Sequence, residues 1–225
     1  MGMLENHLQL GNGIFTTQEI AQILRVPYPK VRKWITQYWD GNLGKCYEHE
    51  YSWSIGNTRA VGFHTLIEFY VMMQFAEAGV QTKEVLKAHK ELSKFYNTNF
   101  PFAQKEVLDN IKTDNSKIFL HINGDTISLD GSRQFNLDII KVFFKNLDFD
   151  NDMLASRFWP MGKNHKVVCD PHRKFGQPVL DGTSIQSEAI YRMYLAEESI
   201  SFIASIYEIP VKMVKDAIAF HKNAA

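Results

Sequence analysis

Three cations and an amide stand close together between positions 30 and 37, as Lys30, Arg32, Lys33 and Gln37. Interleaved with apolar residues at helical spacing, such side chains suit double-stranded DNA: lysine and arginine neutralise phosphates, and arginine or glutamine reads base edges in the major groove. An ordinary solvated helix face has the same composition, so the reading depends on its surroundings. Arg59 follows a Gly56-Asn57 turn and Lys45 precedes the strand leading into it. Both are candidate phosphate contacts beside the main face.

A second chemistry-bearing stretch runs from Phe149 to Phe175. It mixes Arg157, Trp159, Arg173 and Lys174 with Lys163 and Lys166. Tryptophan and arginine dominate protein interfaces, so Arg157, Trp159, Arg173 and Lys174 are candidate partner-binding residues.

Metal and catalytic chemistry fare worse. Cys46 with His49, and Cys169 with His172, each form a Cys-x-x-His pair, but the two pairs stand far apart and in different expected domains. Asp148, Asp150 and Asp152 have the spacing of a calcium loop, yet Met153 stands where its glycine belongs and Trp159 where its bidentate glutamate belongs. His64, His89 and His121 are scattered and read as structural. There is no phosphate-binding Gly-x-x-x-x-Gly-Lys, no His-Glu-x-x-His and no nucleophile elbow. No enzyme, no metal and no cofactor is expected.

The elements that must position the basic face are legible. Thr16 and Glu19 make a capping box, which starts a helix. Ile20, Ala21 and Leu24 repeat at helical spacing, Arg25-Val26-Pro27 interrupts, and Val31, Trp34, Ile35 and Tyr38 resume the period. Two short helices joined by a tight turn form a helix-turn-helix. Tyr51, Trp53 and Ile55 alternate with serines before Gly56-Asn57, which predicts a hairpin and so a wing. Helices are expected over 63–78, ended by Gly79, and over 82–96. Beyond these come a hairpin of 117–122 with 126–129, a buried helix over 135–147, and three helices over 187–195, 200–207 and 211–220 that form a second helix-turn-helix pattern.

Composition bounds the function. The 225 residues carry 25 basic and 25 acidic side chains, so no global field draws the chain to nucleic acid or an anionic membrane. Between Gly11 and Cys46, however, five basic residues face two acidic ones, a local charge of +3. Two distant cysteines fit a reducing compartment, Met1 to Gly13 lacks the basic and apolar regions of a secretory leader, and the apolar run 67–76 is too short to span a bilayer. A cytoplasmic protein without a membrane partner is expected.

The order of these pieces carries a resemblance. After the winged helix-turn-helix come Gly62-Phe63 and an apolar helix with Glu68, then Ala78-Gly79-Val80 and a helix running to Pro101-Phe102-Ala103. Trp159-Pro160, Asp170-Pro171 and Phe175-Gly176-Gln177-Pro178 follow, with a helical tail. Over Phe15 to Phe220 the chain resembles bacterial antitoxins of the VapB type, whose C-terminal domain was long catalogued as of unknown function, and the N-terminal third is similar to the MerR-like winged helix family. The resemblance implies a non-catalytic antitoxin that represses its own operon, binds operator DNA as a homodimer and neutralises a PIN-like ribonuclease toxin. Ser184 and Gln186 stand where that family usually has arginine and proline, and Glu197 where it has glycine. The last change is expected to favour a continuous helix.

The expected fold is mainly α: a MerR-like winged helix-turn-helix domain with supporting helices over 1–103, then a small β-hairpin region and a C-terminal helical, helix-turn-helix-like domain over 104–225. Two rival functions stay open, an effector-responsive MerR-like regulator with a pocket near Gln104 and a protein-interaction scaffold that binds no DNA.

Overall fold

A computed structural model describes residues 11–113, 118–122, 125–128 and 145–222, with side chains for 11–111 and 145–222. The leader reading of Met1 to Gly13, apart from its last three residues, lies outside the described residues. So do most of the helix expected over 135–147, the residues joining the hairpin expected over 117–122 and 126–129, and the His121 side chain.

The fold is mainly α, with small antiparallel sheets. In chain order, β1 (Phe15–Thr16) leads into α1 (Thr17–Leu24) and α2 (Tyr28–Lys33); α2 continues through a π-helical stretch, Trp34–Gly44, into α3 (Lys45–Tyr47). The hairpin β2 (Ser52–Ile55) and β3 (Thr58–Val61) precedes α4 (Phe63–Glu77) and α5 (Thr82–Tyr96). A 3-10 turn, Pro101–Ala103, leads to α6 (Lys105–Asn110), β4 (Ile111–Thr113), β5 (Ile118–Ile122) and β6 (Asp125–Ser128). Then come β7 (Leu147–Phe149), β8 (Ala155–Phe158), β9 (Val167–Val168) and β10 (Val179–Leu180), followed by α7 (Ser187–Leu195), α8 (Ile200–Ile206) and α9 (Val211–Lys222). Leu147, expected to end a helix, opens β7.

Two compact units divide the chain. The first holds the described residues of Met1–Val31, Trp53–Phe63 and Arg157–Ala225; the second holds Arg32–Ser52 and His64–Ser156. The boundary expected near Ala103 falls inside the second unit, and the first joins residues from both ends of the chain.

In the first unit β1 pairs antiparallel with β3, Phe15 opposite Val61, in a sheet of order β1-β3-β2. The unit closes because the chain ends are sewn together. Ile14 N–H donates to the Phe175 carbonyl at 2.7 Å, and Gln177 Nε2 donates to the Ile14 carbonyl at 3.0 Å. Gly176, at φ +86, lies so close that a Cβ would stand 2.5 Å from the fully buried Phe15 ring. Gly176→Ala therefore meets backbone strain and a core clash together, and we expect it to lower stability by about 2 kcal/mol or more in denaturant melts.

The second unit is built on the apolar α4. Phe69 packs on Trp34 at 5.6 Å and edge-on to Trp39 at 4.7 Å between ring centroids. Inside this aromatic core the fully buried Glu68 places Oε2 2.6 Å from His89 Nε2, and its Oε1 accepts the Phe102 N–H at 2.9 Å. One carboxylate thus ties α4 to α5 and to the turn at Pro101–Ala103. β4, β5 and β6 add an antiparallel sheet, with Leu120 opposite both Ile111 and Ile127.

Candidate nucleic-acid interface

α1 starts as the capping box predicts: Thr16 N–H donates to Glu19 Oε2 at 2.7 Å, and Glu19 N–H donates back to Thr16 Oγ1 at 3.3 Å. It ends at Arg25, in the left-handed region at φ 56. Arg25 N–H reaches the Gln22 carbonyl at 3.3 Å and Val26 N–H the Ala21 carbonyl at 3.0 Å, the paired bonds of a Schellman ending. Closing those carbonyls offsets the left-handed conformation of a residue with a Cβ. Pro27 then accepts from Lys30 N–H at 2.9 Å, which turns the chain into α2.

The second helix is longer than its pattern suggested. Below Lys33 it widens into the π-helical stretch, where bonds close over five residues. The buried spacing widens with it: Trp34, Trp39 and Gly44 are all buried, five apart, whereas Tyr38, expected in the core at 3.6-residue spacing, is only half-buried and lies beneath Lys33 Nζ at 5.5 Å. Gly41 is required here, since a Cβ would stand 2.7 Å from the Thr36 carbonyl oxygen.

Val31, Trp34, Ile35 and Trp39 are buried, and Tyr28, Lys30, Arg32, Lys33 and Gln37 are exposed around them. Four predicted DNA-binding residues are therefore exposed along one continuous helix. Lys45 is exposed at the start of α3, ahead of β2, and Arg59 is half-buried in β3, its carbonyl accepting from Thr17 Oγ1 at 3.1 Å. The wing tip turns at Gly56, φ +56, with Ile55 exposed beside it.

The candidate partner residues are placed less openly. Trp159 is 5% exposed and packs with Val168 and Val179, so its ring is core of the first unit. The Arg157 guanidinium lies 5.5 Å above that ring and 3.9 Å from Asp181. Arg173 is held by Asp170 at 3.4 Å and donates to the Thr183 carbonyl at 3.1 Å. Lys174 is exposed, at φ 47, beside the exposed Phe175.

Local structure also accounts for other singled-out residues. Asp150 accepts the Leu154 N–H at 2.9 Å and Met153 takes φ 60, so the acidic run forms the β7–β8 turn. Cys46 is exposed; Cys169 is buried in the first unit, which pushes its thiol well above the usual range. Among the described residues no group of three or more His, Cys, Asp or Glu is placed to hold a metal ion. Burial holds the His64 imidazole below its ordinary pKa.

Sequence reasoning missed three arrangements. Ser93 Oγ stands 3.2 Å from His89 Nδ1, so Ser93, His89 and Glu68 form a hydrogen-bonded chain of the kind hydrolases use. All three are buried, leaving no room for a substrate at the hydroxyl. In the first unit a cleft of about 490 Å³ lies between α1, at Gln22 and Ile23, and the helices α7 and α9, at Tyr191, Arg192 and His221. No helical pattern could reveal it, because its walls come from opposite ends of the chain.

Asp216 is a third arrangement without a sequence signal. Its carboxylate accepts from Lys166 N–H at 2.9 Å and Lys212 Nζ at 3.0 Å, and stands 3.1 Å from His165 Nδ1. Burial pushes its pKa up, but these donors outweigh burial and hold the carboxyl below its usual value. A depressed carboxyl stabilises the fold above its unfolded pKa and loses that contribution as the pH falls. We expect Asp216→Asn to be the less stable protein at pH 7, and the gap to close below about pH 4 in melts across pH.

These features define a mainly helical chain with an exposed basic helix and a β-hairpin. No protein-family model matches it. The chain is 24% identical over 173 residues to "Putative antitoxin VapB45" of Mycobacterium tuberculosis (strain ATCC 25618 / H37Rv), covering 72% of each chain. Its fold is similar to the crystal structure of Rv2018 from Mycobacterium tuberculosis, with a TM-score of 0.66 and 21% identity over 91% of this chain and 96% of that one. Among the described residues no helix is long and apolar enough to cross a membrane.

Proposed function

We propose that the protein is the DNA-binding antitoxin of a type II toxin–antitoxin system. In this reading α1, α2 and the β2–β3 hairpin act as a MerR-like winged helix-turn-helix that grips the operator of its own operon. The protein works in the cytoplasm, as a homodimer, because such readers grip two half-sites related by a two-fold axis. It neutralises a PIN-like ribonuclease toxin through its C-terminal residues and performs no catalysis.

The observation that carries this reading is the run of exposed cations along α2, Lys30, Arg32 and Lys33, on a helix anchored by the buried Val31, Trp34 and Trp39. The likeness to a curated antitoxin supports the rest. In cells, a reporter driven by the gene's own upstream region is expected to be repressed by the wild type and released by a Lys30, Arg32 and Lys33 triple alanine variant. Co-expression is expected to rescue growth from the neighbouring nuclease. A reporter unaffected by either protein would favour a scaffold that binds no DNA.

The cleft beside Gln22 favours a second reading, an effector-responsive regulator whose ligand sits against α1. That reading requires a small molecule to change operator affinity with no nuclease partner present.

A further inference from the structure

The amphipathic helix α5 carries four lysines, Lys83, Lys87, Lys90 and Lys94. Their spacing of four, three and four residues returns them to one side of an α-helix, within an arc of about 60° and along a row about 16 Å long. Lys83, Lys87 and Lys94 are exposed and Lys90 is half-buried, while Val85, Ala88 and Leu92 are buried on the opposite side. The two carboxylates of the helix, Glu84 and Glu91, share one flank of the row, about 80° round from its centre. Only Lys83 approaches one of them, at 3.9 Å from Glu84. Among the described residues no ion pair or hydrogen bond holds the Lys87, Lys90 or Lys94 ammonium.

Such a row works against the helix that bears it. Like charges three and four residues apart, as in Lys83–Lys87, Lys87–Lys90 and Lys90–Lys94, lower helix stability, and a bound polyanion relieves them. The row also belongs to the same compact unit as Arg32 and Lys33 of the predicted reading helix. The two helices are joined there: the Trp39 ring stands edge-on to His89 of α5 at 6.0 Å between centroids, and Tyr47 Oη donates to the Lys90 carbonyl at 2.9 Å.

The composition of the row selects its partner. Protein interfaces are depleted in lysine and depend on aromatic and arginine anchors, and the row has neither. A bilayer needs an apolar face beside the cations, but of the apolar residues of α5 only Phe95 is exposed. Phosphates need charge alone. Ammonium groups neutralise them without selecting a sequence, and one strand of a duplex offers a phosphate about every 3.4 Å of axis, enough to meet all four lysines. We propose that the lysine row of α5 is a second DNA-contacting surface, which grips duplex phosphates without regard to sequence and complements the sequence-reading α2. This inference rests on the operator-binding reading above and adds the surface that supplies affinity rather than selectivity.

The test is equilibrium binding of the full chain to its upstream DNA and to scrambled DNA across a salt series. The wild type is measured beside a Lys83→Ala/Lys87→Ala/Lys90→Ala/Lys94→Ala variant and a charge control, in which Lys145, Lys163, Lys215 and Lys222, all exposed elsewhere, become alanine. The row variant is expected to lose at least about tenfold in affinity for both DNAs alike, with the slope of log affinity against log salt reduced by up to about four units. Its preference for the upstream DNA should stay as in the wild type, and its melting temperature should be no lower. The control is expected to lose less than about threefold. Equal losses in the two variants would reduce the row to bulk charge and overturn the proposal. A row variant that binds both DNAs like the wild type would overturn it too and leave the reading by α2 standing, whereas a wild type that binds neither DNA would overturn both. A row variant that keeps both duplexes but loses single-stranded RNA or the neighbouring nuclease would reassign the row to that partner and overturn the proposal.

Discussion

Replacing Glu68 by alanine is expected to lower stability by about 3–5 kcal/mol, because it leaves two buried polar groups without their partner and opens a cavity in the core. The Glu68 side chain joins three separate segments through the His89 ring and the Phe102 N–H, and its removal strands both among Trp39, Phe75 and Phe102. For a chain of this size that corresponds to a fall in melting temperature of about 6–20 °C. Glu68→Gln keeps an acceptor for Phe102 N–H and should lose much less. A Glu68→Met/His89→Leu double variant, which removes both polar partners, should recover most of what either single truncation loses. Denaturant melts of the four proteins check this; a double variant no better than Glu68→Ala would mean the pair contributes more than it costs to bury.

The second large effect concerns the basic face. Alanine at Lys30, Arg32 and Lys33 together is expected to weaken operator binding by about a hundredfold or more and to reduce the dependence of log affinity on log salt by up to about three units, one for each phosphate no longer neutralised. Folding should survive, because all three side chains are exposed while Val31 and Trp34 remain in the core. Gln37→Ala, by contrast, should relax discrimination between sequences with little change in salt slope, as expected of a residue that reads bases.

Much of this architecture was legible because it rests on local chemistry. The Thr16–Glu19 box, the turn glycine at 56 and the helical period over 82–96 and 187–195 each specify an element within a few residues. Legibility failed where the chain departs from average geometry or depends on distant segments. The π-helical stretch moved Trp39 into the core in place of Tyr38, since a five-residue closure does not follow a 3.6-residue period.

Glu197 is the second failure. Its helix was expected to run on, yet Glu197 takes φ 64, and Glu198 N–H bonds to the Met193 carbonyl at 3.2 Å in a Schellman ending without glycine. The hydrogen bonds that close α7 compensate for the conformation, and no residue type announces them. The Trp159 ring, chosen as an interface anchor by its type and neighbours, packs under Arg157 because β9 and β10 supply Val168 and Val179 from further along the chain. The candidate basic face was readable for the opposite reason, since all its members lie on one helix.

The most direct test of the account is equilibrium binding of the purified protein to its own upstream DNA and to scrambled DNA of equal length, from low to physiological salt, beside the triple alanine variant. The account predicts tight, salt-dependent preference for the upstream DNA, abolished in the variant. Equal weak binding to both DNAs, unchanged by the three alanines, would contradict it.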